Sequence, residues 1–303
     1  MNFSVATLLF IAISCLPVQV ISGEYQLPEI GKRLIGQPLI HQVKSGDYFQ
    51  QIAEQYNVGF LALMAANPNV DPFLPEVGLS LSIPTQMLLP YGERKGIVIN
   101  LPELRLYYFV PGKQEVMVFP VGIGRLGLET PRTTSVIGEK RVDPVWRPTI
   151  EMKARYLKEK GVVLADEVPA GPNNPFGKYA LRLGTSQYLI HGTNQRFGIG
   201  MRASSGCIRL YDDDIKWLYD NVPEGTQVKI VDQSLKMSYE TPGVKLFEVH
   251  QSLSVIASDN AMDRQNDIAA IKENLARFVG NKKIEHFKPE VNQPSGLVIS
   301  TNY

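Results

Sequence analysis

Two side chains in this sequence are of types that carry out acyl transfer and stand near enough in the chain to meet. His191 ends the apolar run Tyr188-Leu189-Ile190, and Cys207 follows sixteen residues later. A cysteine attacks as its thiolate, and a free thiol pKa of about 8.5 calls for a neighbouring base or cation. His191 is the natural candidate. Cys207 follows Gly206, a residue whose backbone freedom allows close approach to a substrate. The N–H groups of Gly206 and Cys207 are candidates to face a developing oxyanion, a stabilisation of roughly 3–4 kcal/mol per donor. Arg209 stands two residues after Cys207. On a β-like segment the two share a face, where a guanidinium can hold a substrate carboxylate. Arg202 is a weaker candidate for that task. Spacing alone does not decide the matter, because a lone cysteine is commonly buried and inert.

The surrounding pattern predicts how these residues are positioned. From Gly96 to Asp232 the chain reads as one mainly β domain. Ile97-Val98-Ile99, the alternating Leu104, Leu106, Tyr108 and Val110, and the run Val116 to Val121 form a meander separated by turn residues. Thr133 to Gly138 adds a β-branched run, and Tyr179 to Leu183 and Tyr188 to His191 read as further strands. Between them, residues 143–177 are irregular and proline-rich, with one helical patch near Met152 to Lys160, a composition suited to a lid or a groove wall. Asp212-Asp213-Asp214 opens a helix with Ile215, Leu218, Tyr219 and Val222 on one face. The three carboxylates are better read as a cap and a favourable charge at the helix N-terminus than as a metal site. Val228-Lys229-Ile230-Val231 closes the domain. Gly122-Ile123-Gly124-Arg125-Leu126-Gly127 matches a dinucleotide fingerprint, but Pro131 and a β-branched run follow where a helix would have to open, so nucleotide binding is rejected.

Outside this domain, residues 40–84 read as a compact strand–helix–helix–strand unit. Phe49, Ile52, Ala53 and Tyr56 have helical spacing, Asp47 is placed to cap that helix, Asn67-Pro68 stops a second one, and Leu79, Leu81 and Ile83 alternate. Thr85 to Lys95 reads as a linker. The segment 233–303 is polar, with a strand near Val244 to Val249, an amphipathic helix over about Asp263 to Val279 and an extended end. His250 and His286 in it read as surface or packing residues without ligand partners. The first 23 residues form an apolar run ending at Ser22-Gly23 and read as a secretory signal. Cys15 would leave with it, and the single remaining thiol, Cys207, would then suggest a reactive or intermolecular role. Hydrophobic residues make up 44% and charged residues 20% of 303, with a formal charge of +1. That balance fits a globular protein and carries no electrostatic footprint for nucleic acid.

Two resemblances sharpen this reading. The 40–84 unit resembles a LysM module, which implies binding to N-acetylglucosamine-containing glycans such as peptidoglycan, through Gly46, Asp47 and the Ala66-Asn67-Pro68 region. Tyr48 departs from the usual Thr or Ser. The stretch His191-Gly192-Thr193-Asn194 followed by Ser204-Ser205-Gly206-Cys207-Ile208-Arg209 resembles the signature of the L,D-transpeptidases of YkuD fold. The likeness extends to Lys95-Gly96-Ile97-Val98-Ile99-Asn100, Gly122-Ile123-Gly124, Thr130-Pro131 and Gly171-Pro172-Asn173-Asn174-Pro175. The resemblance implies a β-sandwich-like catalytic domain in which Cys207 is the nucleophile and His191 the general base and acid. A backbone carbonyl near Gly192 would orient the imidazole, Gly206 and Cys207 would form the oxyanion hole, and Arg209 would contact substrate, with Asn194 a further candidate. The family usually has histidine where Ser205 stands.

The implied activity is periplasmic, needs no metal or other cofactor, and is inhibited by carbapenems. The thiol opens the amide between diaminopimelate and the terminal D-Ala of a peptidoglycan tetrapeptide. The thioester then passes to another diaminopimelate, as a 3→3 cross-link, or to the C-terminal lysine of an outer-membrane lipoprotein. The alternatives are a hydrolase of the same fold and an inactive peptidoglycan-binding protein.

Overall fold

The computed structural model describes residues 23–240, 242–253, 261–280 and 283–302. The expected signal segment and Cys15 lie outside the described residues, apart from Gly23. No helix among the described residues is long and apolar enough to cross a membrane.

The chain opens with β1 (Glu24–Gln26) and β2 (Leu34–Ile35) and enters the small unit, β3 (Leu39–Gln42), α1 (Phe49–Gln55), α2 (Phe60–Ala66) and β4 (Ser80–Ile83). β3 and β4 pair antiparallel, with His41 opposite Leu81. Phe49, Ile52, Ala53, Leu63, Leu81 and Ile83 bury their side chains between the helices and this ribbon. The expected cap is not made. Tyr48 occupies the cap position of α1 without a side-chain bond. The Asp47 carboxylate instead accepts from Lys44 N–H at 2.7 Å and meets His41 Nε2 at 2.9 Å, closing the turn one residue too early to reach the helix. The presumed linker is also structured: β5 (Met87–Leu88) pairs with β2 and is buried.

The larger domain follows as β6 (Gly96–Asn100), β7 (Arg105–Phe109), β8 (Glu115–Pro120), β9 (Ile123–Gly124), β10 (Thr133–Val142), α3 (Ile150–Lys160), β11 (Tyr179–Leu183), β12 (Leu189–His191), β13 (Arg202–Ser204), β14 (Ile208–Arg209), α4 (Asp212–Asn221) and β15 (Gln227–Val231). Nine strands form one sheet in the order β1-β8-β7-β6-β15-β10-β11-β12-β14. β10 is the hinge of this sheet. Its first residues pair with β15 and its last with β11, with a register shift between Ile137 and Lys140. Such a shift bends a strand and lets one sheet turn to enclose its core. β6, β7 and β8 are buried on both faces, which is why Ile97-Val98-Ile99 is continuously apolar. α4 lays Ile215 and Leu218 onto the same core as Ile190 and Ile208. Its three aspartates occupy the first turn, while Tyr211 holds the cap position without a side-chain bond. α3 is capped by Thr149 and ended by Gly161, and it buries no residue of its own.

The final segment contains β16 (Leu235–Tyr239), β17 (Lys245–Val249), α5 (Ala261–Val279), α6 (Ile284–Asn292) and β18 (Val298–Ser300), with the three strands in sequential antiparallel order. The extended end expected from the sequence is therefore a helix and a strand. Ile284, Phe287 and Val291 pack with Phe247, Leu275 and Phe278 in a core of their own. The segment is tied to the main domain by buried charge. Lys236 Nζ lies 2.9 Å from Glu103 and 3.0 Å from Glu248, and Arg105 reaches the same two carboxylates at 3.2 and 2.9 Å. His250, expected to be isolated, is buried and meets Glu248 at 2.6 Å. Glu103, Glu248 and His250 converge within 4.8 Å, a spacing open to a cation, but the Lys236 ammonium already stands there. Burial pushes both carboxyls up, but Lys236, His250 and Arg105 together outweigh it and hold them below the usual range.

Candidate active site

The segments that carry the two sequence-predicted reactive residues are neighbours in the sheet. β12 and β14 lie side by side with Ile190 opposite Ile208 and His191 opposite Arg209. Ile190 and Ile208 turn into the core, so the residues that flank them face the other way. Burial follows this alternation along the chain: Ser205, Cys207 and Arg209 are half-buried, and Gly206, Ile208 and Leu210 are buried. Cys207 thus falls beside Leu189, on the face that carries His191 and Arg209.

His191 is 2% exposed. Its Nδ1 lies 2.6 Å from the Gly192 carbonyl. A carbonyl only accepts, so Nδ1 carries the proton and Nε2 is left as the free base. Phe176 packs edge-on against the ring, with centroids 4.8 Å apart. Burial lowers the imidazole pKa to about 3, the nearby Arg209 charge adds to this, and the Gly192 and Phe176 carbonyls oppose it. Burial raises the Cys207 thiol, against a Leu189 backbone hydrogen bond and the Arg209 charge. At neutral pH the resting pair is therefore thiol and neutral imidazole rather than an ion pair. The expected result is that iodoacetamide alkylation of Cys207 rises steadily with pH above 8, measured by intact mass. A plateau between pH 5 and 7 would mean a preformed thiolate.

The turn before Cys207 is built by two hydroxyls that the sequence did not single out. Thr130 Oγ1 donates to the Gly206 carbonyl at 2.8 Å and accepts from Gly124 N–H at 2.9 Å. Ser204 Oγ accepts from Gly206 N–H at 3.1 Å and donates to the Cys207 carbonyl at 2.5 Å. In a trans peptide C=O and N–H point opposite ways. Thr130, by fixing the Gly206 carbonyl inward, directs the Cys207 N–H outward. Of the two candidate oxyanion donors, Gly206 is thus engaged by Ser204, and Cys207 is aimed at the open face. Gly206 itself has φ +105°, and a Cβ there would lie 2.8 Å from Tyr188.

With this geometry in place, relatives become informative. Residues 94–230 match the L,D-transpeptidase catalytic domain of the YkuD type, and residues 41–84 match the LysM domain. The probable L,D-transpeptidase YcfS of Escherichia coli is 49% identical over 83% of this chain and 80% of its own length. The probable L,D-transpeptidases ErfK/SrfK of Salmonella typhimurium and YbiS of Escherichia coli are 48% and 46% identical, each over 76% of this chain and 75% and 76% of theirs. This chain belongs to the L,D-transpeptidases. It is accordingly an enzyme of the acyltransferase type, mainly β, with a LysM domain before the catalytic one.

The other candidates of this L,D-transpeptidase fall in three places. Arg209 stays at the thiol, its guanidinium beside Tyr156 of α3 and Cys207. Arg202 is spent elsewhere, reaching the Gln251 carbonyl at 3.4 Å and facing Asp232. Asn194 is exposed and donates to the Pro172 carbonyl at 3.2 Å. The glycine-rich decoy continues from Gly127 through a turn into β10, and its β9 residues pair with β13 below the site.

In the LysM unit, Asn67 is buried and its amide is fully used. It donates to Leu63 and Ser82 carbonyls and accepts from Ser82 N–H, pinning α2 to β4. Gly46, at φ +91°, and Asp47 close the turn before α1. The cleft near them is lined by Tyr48, Gln50, Phe60, Pro72 and Phe73, with Phe197 and Met201 from the catalytic domain, and encloses about 180 Å³. Gln50 is 5% exposed, and its Oε1 has no partner among the described residues.

The LysM unit docks on the stretch of chain between His191 and Cys207. Leu61 N–H donates to the Gly200 carbonyl at 3.1 Å, Gln50 donates to Tyr211 Oη at 3.0 Å, and Glu54 pairs with Arg196. Gly200, at φ +67°, has room for no side chain, since a Cβ would stand 2.3 Å from Gly59 and Phe60.

Proposed function

We propose that this L,D-transpeptidase is exported to the periplasm and acts on peptidoglycan tetrapeptide stems through a thioester on Cys207. The observation that carries the reading is the strand pairing that sets Cys207 and His191 on one face while Gly192 holds the imidazole with Nε2 free. Nε2 takes the thiol proton as Sγ attacks the donor carbonyl, and the outward Cys207 N–H receives the oxyanion. The imidazolium then protonates the leaving D-Ala nitrogen as the C–N bond breaks. An acceptor amine attacks the thioester, gives its proton to His191, and the C–S bond breaks to restore the thiol. His191 pairs across to Arg209, so the leaving residue lies at that end and its carboxylate meets the Arg209 guanidinium. No step requires a metal or an organic cofactor.

The LysM unit supplies the glycan. An acetamido methyl suits the apolar cleft, and its N–H suits the unpaired Gln50 Oε1. The acceptor is tested by mass spectrometry of purified sacculi after incubation with enzyme, with and without a lipoprotein C-terminal peptide ending in lysine. Transfer is expected to yield D-Ala with either a 3→3 dimer or a peptide adduct. Loss of D-Ala with no new amide would mark a hydrolase. No change at all would leave only glycan binding.

A further inference from the structure

The steps above leave two residues unused, Ser205 and Arg155. Ser205, Cys207 and Arg209 occupy alternate positions on the open face. Ser205 stands two residues before Cys207, in the turn, and Arg209 two residues after it, on β14, so along the chain the thiol has Ser205 on one side and Arg209 on the other. Ser205 is uncharged, but its Oγ accepts from Arg155 Nη2 of α3 at 2.9 Å. A guanidinium therefore stands at each end of the row.

Both guanidiniums are short of partners. Arg155 Nε and Arg209 Nε are closed to solvent and make no hydrogen bond among the described residues. Two carboxylates lie four residues from Arg155 along its helix: Glu159, which also feels the Arg155 charge, is bonded by Arg125 at 2.6 Å, and Glu151 is engaged at Thr149. Leaving a buried donor without a partner is costly, and hydrogen bonds to charged groups recover the most. An arriving carboxylate meets both conditions. Arg209 lies at the His191 end, where the leaving residue sits. Arg155 is held on the Ser205 side of the thiol by the Ser205 hydroxyl, which assigns it to the acyl part of the donor.

We propose that Arg155 binds a stem carboxylate on the acyl side of the scissile amide, and that Ser205 positions it there. The inference rests on the transpeptidase reading. Two carboxylates of the stem meet the description: the side-chain carboxylate of diaminopimelate and the α-carboxylate of the preceding D-glutamyl residue. Ser205, uncharged and small, accepts the guanidinium without competing for its charge. An imidazolium in its place would repel it.

The test compares three disaccharide-tetrapeptide donors on the full mature chain: the free acid, one amidated at the diaminopimelate side chain, and one amidated at D-glutamate. Wild type is expected to lose roughly tenfold in kcat/KM on one amidated donor, mainly through KM. Arg155→Met should lose the same factor on the free acid and be indifferent to that amidation. Arg155→Lys should recover part of the loss, since it keeps the charge but not the fork. Ser205→Ala should weaken the discrimination. Equal losses for Arg155→Met on all three donors, or wild-type indifference to both amidations, would overturn the inference and leave the transpeptidase reading standing. Wild-type failure on all three would remove both.

Discussion

Cys207→Ala is expected to abolish D-Ala release and transfer from tetrapeptide donors while leaving the melting temperature within a degree or two, on the order of 0.5 kcal/mol. The separation follows from where the thiol stands. It is half-buried on the open face, and the core beneath it is held by Ile190 and Ile208, which the substitution does not touch. The Gly206 and Cys207 carbonyls keep their bonds to Thr130 and Ser204, so the turn survives. Only the thiol proposed as nucleophile is removed, and no other cysteine lies among the described residues. A carbapenem should add its mass to the wild type and not to this variant. The LysM unit cannot be removed without touching the catalytic domain. Met201 packs into the LysM core and Tyr211 bonds to Gln50, so removing residues 40–84 would disturb the segment between His191 and Cys207.

His191→Gln is expected to lower kcat by roughly 10²–10⁴-fold, the usual contribution of a positioned general base. An amide fills the same buried place but accepts no proton. The variant carries a second signature. The unfolded chain protonates this imidazole near 6.5, and the folded chain does so only near 3. Between those values the unfolded state binds more protons, so folding is weakened as pH falls through that window, by at most about 1.4 kcal/mol per unit. Above 6.5 the contribution is complete. Wild type should therefore lose melting temperature between pH 6.5 and 3 more steeply than His191→Gln. Parallel profiles would mean that the imidazole is not buried as described.

Much of the candidate site's layout is legible in the sequence because it is local. The apolar run before His191 sets that residue at the end of a strand, and the alternation after Gly206 sets Cys207 and Arg209 on one face. What escaped was what distant segments contribute. Nothing near Thr130 says that its hydroxyl will meet a carbonyl 76 residues away. Arg155 lies 50 residues from Ser205, in a helix whose own pattern shows no buried face. Arg202 has the right type and sequence distance for substrate but is drawn to Asp232 and to the Gln251 carbonyl of the final segment. That segment was misread for a similar reason. The segment reads as polar from its sequence, yet its Lys236 and Glu248 are buried against Glu103 and Arg105. The α6 periodicity of Ile284, Phe287 and Val291 was present but interrupted by Pro289.

The central claim is that Cys207 carries the acyl group. The direct measurement is the intact mass of the enzyme, quenched in acid during turnover of a disaccharide-tetrapeptide donor. A hydroxylamine-labile adduct equal to the donor less D-Ala is expected, mapped by proteolysis to the peptide containing Cys207 and absent in Cys207→Ala. Release of D-Ala at full rate with no adduct, or an adduct that persists in Cys207→Ala, would contradict it.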